Sequence, residues 1–106
     1  MRENNYSIII ANRAKAELDG ILDYISKVFY AEMTAEKTLA EITKSFEQLK
    51  TFPNSAPLMR EQEYKNFGIH RLVVKNYNIF YRVNDEKLQI EIIHILHGMQ
   101  DYLKIL

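Results

Sequence analysis

The sequence predicts an α+β fold in which an antiparallel helical hairpin packs on one sheet, in the order β-α-α-β-β-β. Three observations predict this class: an apolar, β-branched run near the N-terminus, two amphipathic segments with apolar residues three and four apart, and three C-terminal segments in which apolar residues alternate with others. The apolar stripes of both helices need a common surface to cover, and a sheet supplies one.

The first strand is predicted over residues 6–11, where the run Tyr-Ser-Ile-Ile-Ile-Ala is rich in β-branched side chains. Asn12 then offers a helix N-cap, and the apolar stripe that follows predicts a first helix over residues 13–29. The second helix is predicted to have Thr34 as its N-cap and to end at residue 51, because Pro53 stops it. The short gap between the two helices makes them antiparallel.

A long loop is predicted over residues 52–68, which contain both prolines and the breaker clusters Phe-Pro-Asn-Ser-Ala-Pro and Asn-Phe-Gly. After it the apolar pattern changes to a period of two, which predicts antiparallel strands over residues 69–75, 78–83 and 88–96. In the last strand apolar residues fill both faces toward the end, so we expect that part to be central and covered.

Alternation along the first strand of this C-terminal group directs Arg71 and Lys75 away from the helices. No acidic residue occurs between Glu63 and Asp85, whereas cations and aromatic residues are frequent there. Cations hold phosphate and aromatic rings stack on bases, so the pattern suits an RNA or an acidic protein surface. We therefore expect the other sheet face to be free and basic. The alternative is that the cations only keep a strand soluble and that the aromatic residues belong to the core.

The composition bounds the classes of function. With 106 residues, 47% of them hydrophobic and 26% charged, the chain is predicted to be one globular domain over residues 1–106. The absence of cysteine excludes disulfides, thiolate metal sites and cysteine nucleophiles. We expect a cytoplasmic protein, because no signal-peptide pattern and no membrane-spanning apolar run occur. A formal net charge of zero argues against non-specific binding of nucleic acid.

Few residues point to metal or acid–base chemistry. His94 and His97 are interpreted as hydrogen-bonding or general-acid histidines, because a zinc site needs three or four convergent ligands. Glu17, Asp19 and Asp23 are interpreted as a solvated face of the first helix. Gly-rich phosphate loops and hydrolase elbows are absent. We expect neither a metal nor a cofactor.

The segment Ile69-His-Arg-Leu-Val-Val-Lys-Asn-Tyr-Asn-Ile-Phe-Tyr-Arg-Val83 and the ending Ile95-Leu-His-Gly-Met-Gln-Asp101 resemble the RelE/ParE toxin family, and the resemblance spans essentially the whole chain. It implies a growth-inhibiting toxin of a type II toxin-antitoxin system, neutralised by a cognate antitoxin in a hetero-oligomer. The fold that it implies agrees with the one predicted from the pattern.

Two branches of this family differ in activity. One branch cleaves mRNA in the ribosome, and the other, ParE-like branch poisons DNA gyrase. Two arginines of the ribonuclease branch align with Asn78 and Gln100, so the resemblance favours the ParE-like branch, although Gln100 also replaces the basic residue usual there. The alternatives are a RelE-like, ribosome-dependent mRNA endoribonuclease and a catalytically degenerate module that only binds antitoxin.

The resemblance and the charge pattern together predict the functional residues. The target, which is gyrase or else the ribosome and its mRNA, is predicted to contact Arg71, Lys75, Arg82 and His97. If the protein is a ribonuclease, acid–base and phosphate-binding roles fall to Arg71, Lys75, Tyr81, His97 and Tyr102. Bulky residues beyond the apolar stripe of the first helix are predicted to bind the antitoxin: Tyr24, Val28 and Tyr30.

Overall fold

The structure, a computed structural model, describes residues 5–28, 31–60, 66–98 and 105. In chain order the elements are β1 (Ser7–Ile10), α1 (Asn12–Asp23), a π-helical segment (Tyr24–Val28), α2 (Glu32–Thr51), β2 (Ile69–Val74), β3 (Tyr77–Asn84) and β4 (Gln89–His97). The predicted α+β class, with a helical hairpin between the first strand and three C-terminal strands, is confirmed.

The four strands form one mixed sheet in the order β1-β4-β3-β2. β2, β3 and β4 are antiparallel neighbours, as predicted, and β1 is parallel to β4. The pairing of β1 with β4 runs only from Ser7 opposite Gln89 to Ile10 opposite Ile92, because the chain then turns into α1. The second half of β4 therefore extends past the end of β1.

A β-bulge marks the same point on β4. Tyr81 of β3 lies opposite Ile92, whereas Phe80 lies opposite His94, so Ile93 is the extra residue. We call residues 89–92 the paired half of β4 and residues 93–97 its free half. The bulge and the end of β1 together separate the two halves.

Both predicted helix caps are wrong. α1 begins at Asn12 and α2 at Glu32, and the residues before them, Ala11 and Ala31, make no capping bond through a side chain. Glu32 lies in the first turn of α2, where a carboxylate favours the positive end of the helix dipole. The predicted helix over residues 13–29 also divides, because the backbone widens into the π-helical segment after Asp23.

The turns between the C-terminal strands differ from the prediction by one residue. The backbone of Lys75 has a φ of 55° and that of Leu88 has a φ of 52°, so both lie in the left-handed region rather than in strands. β2 consequently ends at Val74, and β4 begins at Gln89. Lys75 leaves the alternation of β2 for this reason.

The main core lies between the helices and one face of the sheet. α2 contributes Ile42, Phe46 and Leu49, and α1 contributes Ala14. Burial of a large apolar side chain contributes about 1.5–3 kcal/mol, so this cluster accounts for much of the stability. The sheet contributes Ile79, Tyr81, Ile90, Ile92 and Ile95.

The expectation of a free outer face is wrong, because a second apolar cluster covers part of that face. Its buried members are Met59, Ile69, Phe80 and Leu96, with Ile93 and Ile105 packed against them. Phe80 and Leu96 occupy outward positions on inner strands, where an apolar side chain needs cover.

Among the described residues, no helix is long and apolar enough to cross a lipid bilayer.

The segment 57–59 provides this cover and also protects the edge of β2. The Met59 N–H donates to the Ile69 carbonyl at 2.8 Å, and the Arg71 N–H donates to the Pro57 carbonyl at 3.0 Å. Pairing of this kind removes an exposed strand edge, which would otherwise invite aggregation. The predicted loop therefore serves partly as a short edge strand.

Candidate functional site at the free half of β4

Two of the predicted target-binding cations are engaged by acids of the chain itself. Lys75 Nζ lies 3.1 Å from Glu41 Oε2 of α2, which places Lys75 on the helix side of the sheet, contrary to the prediction. Arg82 Nη2 lies 2.8 Å from Glu91 Oε1 on the neighbouring strand. The predicted basic face thus lacks Lys75, and its Arg82 is paired with an acid.

Arg71 lies on the outer face, as its position in the alternation predicts. It is opposite Phe80, a member of the outer apolar cluster, and its side chain is half-buried. The three cations predicted to act together are therefore on different parts of the surface. Only Arg71 and Arg82 share a sheet face.

Tyr81 is fully buried and has a structural role. Its hydroxyl donates to the Pro53 carbonyl at 2.8 Å and accepts from the Ala56 N–H at 3.4 Å, and burial raises its pKa. The His70 ring stacks on it with centroids 4.7 Å apart, and His70 Nδ1 donates to the Ala56 carbonyl at 2.8 Å. The Tyr81 hydroxyl holds the loop to the sheet, and these bonds would have to break before it could act as acid or base.

Asn78 is buried beside the turn that joins β2 and β3. The Gly98 N–H donates to the Asn76 carbonyl at 2.6 Å, and a Cβ on Gly98 would lie 3.0 Å from that carbonyl oxygen. Any side chain at this position would press on the Asn76 carbonyl, so glycine favours the close approach of these two segments. The Asn78 side chain packs in this junction instead of extending toward a ligand.

Glu17 and His94 form a contact that the sequence analysis missed. Glu17 Oε2 lies 2.9 Å from His94 Nδ1, and Glu17 Oε1 accepts the Ile95 N–H at 2.9 Å. The carboxylate thus occupies the place that a continued β1 would take beside the free half of β4. Asp19 and Asp23 are exposed, as predicted, but the interpretation of Glu17 as solvated is wrong.

A sequence signal for this contact existed. His94 interrupts the apolar run of β4, and a buried imidazole needs a hydrogen-bond partner. The helical periodicity of α1 alone placed Glu17 on the polar face, and it could not show which acid would meet His94.

Glu17 is also one of the residues that line a pocket of about 790 Å³ between α1 and the free half of β4. His97 contributes to its wall and meets the Tyr77 ring edge-on, with centroids 5.5 Å apart. The lining residues are mostly apolar or aromatic and come from α1, the π-helical segment, β3, β4 and the C-terminal end: Glu17, Gly20, Ile21, Tyr24, Tyr77, Ile95, Leu96, His97 and Ile105.

Of the residues predicted to bind antitoxin, Tyr24 is 56% exposed and borders this pocket. The Val28 side chain and Tyr30 lie outside the described part of the chain, as do Gln100 and Tyr102. Within that part, no group of three or more His, Asp or Glu residues is arranged to hold a metal ion.

Comparison with known proteins identifies the family. The sequence model of the ParE toxin of the type II toxin-antitoxin system, parDE, matches residues 8–102. The chain belongs to this ParE toxin family. It is therefore a toxin of the ParE/RelE superfamily. Among curated proteins, none matches the chain by sequence.

Solved structures of toxin-antitoxin systems share the fold of this ParE-family toxin. The chromosomal ParDE system of P. aeruginosa matches with a TM-score of 0.70 and 21% identity, over 90% of this chain and 98% of that one. The RelBE2 complex of Mycobacterium tuberculosis matches with a TM-score of 0.60 and 17% identity, over 88% of this chain and 98% of that one.

Proposed function

We propose that this toxin inhibits growth by binding DNA gyrase and stabilising the cleaved complex of gyrase with DNA. In this proposal the toxin acts by binding alone, and gyrase supplies the chemistry of strand cleavage. The match to the ParE family supports a ParE-like target. The toxin is held inactive by a cognate antitoxin, and similar structures are toxin-antitoxin complexes.

The observation that carries the proposal is that one candidate acid–base group, the Tyr81 hydroxyl, is buried and hydrogen-bonded. Cleavage of RNA through its 2′-hydroxyl needs a base, a cation on the phosphate and an acid for the leaving oxygen. Lys75 is paired with Glu41, and the buried Tyr81 hydroxyl is bonded to the loop. The bonds of the Tyr81 hydroxyl to Pro53 and Ala56 favour binding over ribonuclease chemistry. The exposed pair of Lys75 and Glu41 is weak and does not bear on the choice.

The antitoxin is expected to dock chiefly through apolar contacts near Tyr24, whose ring is exposed beside the pocket. Apolar burial contributes about 25 cal/mol per Å² and is insensitive to salt, whereas a purely ionic interface is screened at high ionic strength. We therefore expect the toxin-antitoxin complex to persist toward 1 M salt.

The proposal is tested with purified toxin and gyrase in supercoiling and DNA-cleavage assays. We expect loss of supercoiling and accumulation of cleaved complex, both reversed by antitoxin. If gyrase is unaffected and induced cells instead show mRNA cut within ribosomes, the endoribonuclease alternative is correct. If induction without antitoxin leaves growth unchanged, the chain is the degenerate, antitoxin-binding module.

Arg71 is the cation expected to matter most for the target. Its planar guanidinium can hold a carboxylate or phosphate in two parallel bonds, which an ammonium group cannot copy. We expect Arg71→Ala and Arg71→Lys each to lower growth inhibition at least about tenfold, while antitoxin affinity changes little. Arg13→Ala, at an exposed position of α1, is the matched control. Full toxicity of a folded Arg71→Ala protein would show that the target binds at another part of the surface.

A further inference from the structure

We propose that the pocket between α1 and the free half of β4 binds an arginine side chain of the antitoxin, with its guanidinium paired to the Glu17 carboxylate. The identity of the partner rests on the proposed function, whereas the chemistry of the pocket rests on the structure alone. Three features of the pocket support this assignment: the charge of Glu17 in its lining, the nature of its walls and the space beside Gly20.

The Glu17 carboxylate has unused capacity to accept hydrogen bonds. Each of its oxygens accepts one bond, from the Ile95 N–H and from His94 Nδ1. A carboxylate offers about four acceptor positions, so two remain. The ion pairs of the described residues give Glu17 no Lys or Arg partner, and its side chain is only 20% exposed. A partly buried carboxylate in this state attracts a cation.

The walls of the pocket fit the rest of an arginine side chain. Ile21 and Ile95 are aliphatic and suit the methylene stem, and Tyr77, which meets His97 edge-on, adds an aromatic wall beside which a guanidinium can pack. No Lys or Arg is among the described residues that line the pocket, so a phosphate would meet only the carboxylate. An apolar side chain would cover Glu17 without pairing it, which is unfavourable. Arginine is the side chain that satisfies both the carboxylate and the walls.

Gly20 leaves room for the incoming side chain on the α1 wall. A Cβ built at this position meets no atom within 4 Å. Gly20 also lies inside α1, and glycine is unfavourable within a helix. An alanine here would favour the helix and add only a methyl group, whereas a leucine would extend into the pocket. The position therefore allows the pocket to be blocked without disturbing the core.

The first experiment measures the affinity for the cognate antitoxin. We expect Glu17→Gln and Gly20→Leu each to weaken binding at least about tenfold, which is the loss of one charge-assisted, bidentate contact. The matched controls, Asp19→Asn and Gly20→Ala, should bind within about twofold of wild type. Thermal unfolding of each variant shows whether it is folded. Wild-type affinity of folded Glu17→Gln and Gly20→Leu would overturn the proposal.

The second experiment tests the pocket without any antitoxin. The full chain is titrated with N-acetyl-arginine amide and, separately, with N-acetyl-citrulline amide, its neutral analogue, while amide NMR signals are recorded. We expect the arginine probe alone to shift the signals of Glu17, His94 and Ile95, and Glu17→Gln to abolish the shift. AMP serves as a third probe, because it carries a phosphate. Equal shifts with the arginine and citrulline probes, or shifts with AMP and none with arginine, would overturn the proposal. The two claims can fail separately. If the arginine probe binds but no cognate antitoxin does, the proposed function is contradicted, whereas the ability of the pocket to bind a guanidinium still holds.

Discussion

The two halves of β4 lie in the same strand and are held in different ways. The paired half, residues 89–92, has a strand on each side, and its Ile90 and Ile92 are fully buried. The free half, residues 93–97, has β3 on one side and the Glu17 carboxylate of α1 on the other. Backbone pairing with β1 and β3 stabilises the paired half. In the free half, the Glu17 side chain accepts a backbone hydrogen bond in place of a strand, and a pocket lies beside it.

This difference leaves a pocket beside one half of a central strand. Continuation of β1 would have covered the free half with backbone hydrogen bonds instead of the Glu17 carboxylate. Bulges redirect side chains near functional sites. Here the bulge coincides with the change from a strand partner to a side-chain partner, and the free half lies beside the pocket for which we propose a role in recognition.

The largest expected effect is on stability, from truncation in the paired half. Ile90→Ala removes a fully buried side chain between the helices and the sheet, so we expect a loss of about 2–5 kcal/mol in the free energy of unfolding. The half-buried Ile93 of the free half is the matched position. Urea unfolding of both Ala variants checks the comparison, and an equal loss at Ile93 would contradict it.

A smaller effect is expected from removal of the carboxylate that holds the free half. Glu17→Ala leaves the Ile95 N–H and His94 Nδ1 without their partner, and an unsatisfied polar group costs about 1–3 kcal/mol. Glu17→Gln keeps an acceptor and should lose less. Asp19→Ala, at an exposed position on the same helix, is the control and should change stability by no more than about 0.5 kcal/mol. Stability of Glu17→Ala within the range of this control would show that the contact is dispensable.

The smallest effect is expected from the ion pair between Arg82 and Glu91 on the outer face. Both side chains are nearly half exposed, at 49% and 45%, so solvent screens the attraction. We expect Arg82→Ala to cost less than about 1 kcal/mol and the difference from wild type to shrink at 1 M salt. Chemical denaturation with urea at low and high salt measures this. A loss as large as that of Ile90→Ala would mean that the ion pair, and not burial, holds the paired half.

The sequence predicted the parts of this molecule whose cause is local. The β-branched run at Ile8 and the alternation around Ile90 specify strands, and the apolar spacing through Ile42 and Phe46 specifies a helix face. The helix starts were missed because Ala11 and Ala31 carry no capping side chain, so the sequence contains no signal at these positions.

The candidate site was harder to predict because its contacts join distant parts of the chain. Lys75 was expected to continue the alternation of β2, but the left-handed turn directs it to Glu41. Tyr81 was an acid–base candidate because its residue type fits that chemistry, and only the fold shows its hydroxyl bonded to Pro53. The partner of His94 lies on α1, so no local spacing could identify Glu17.

The most direct test of the difference between the two halves is amide hydrogen exchange at Ile95, compared in the wild-type protein and in Glu17→Ala. Because the Glu17 carboxylate takes the place of a strand partner, we predict that Ile95 is protected in the wild type and exchanges at least about tenfold faster in the variant, while the amides of Ile90 and Ile92 keep their rates. An Ile95 amide that exchanges at the same rate in both proteins would contradict the account.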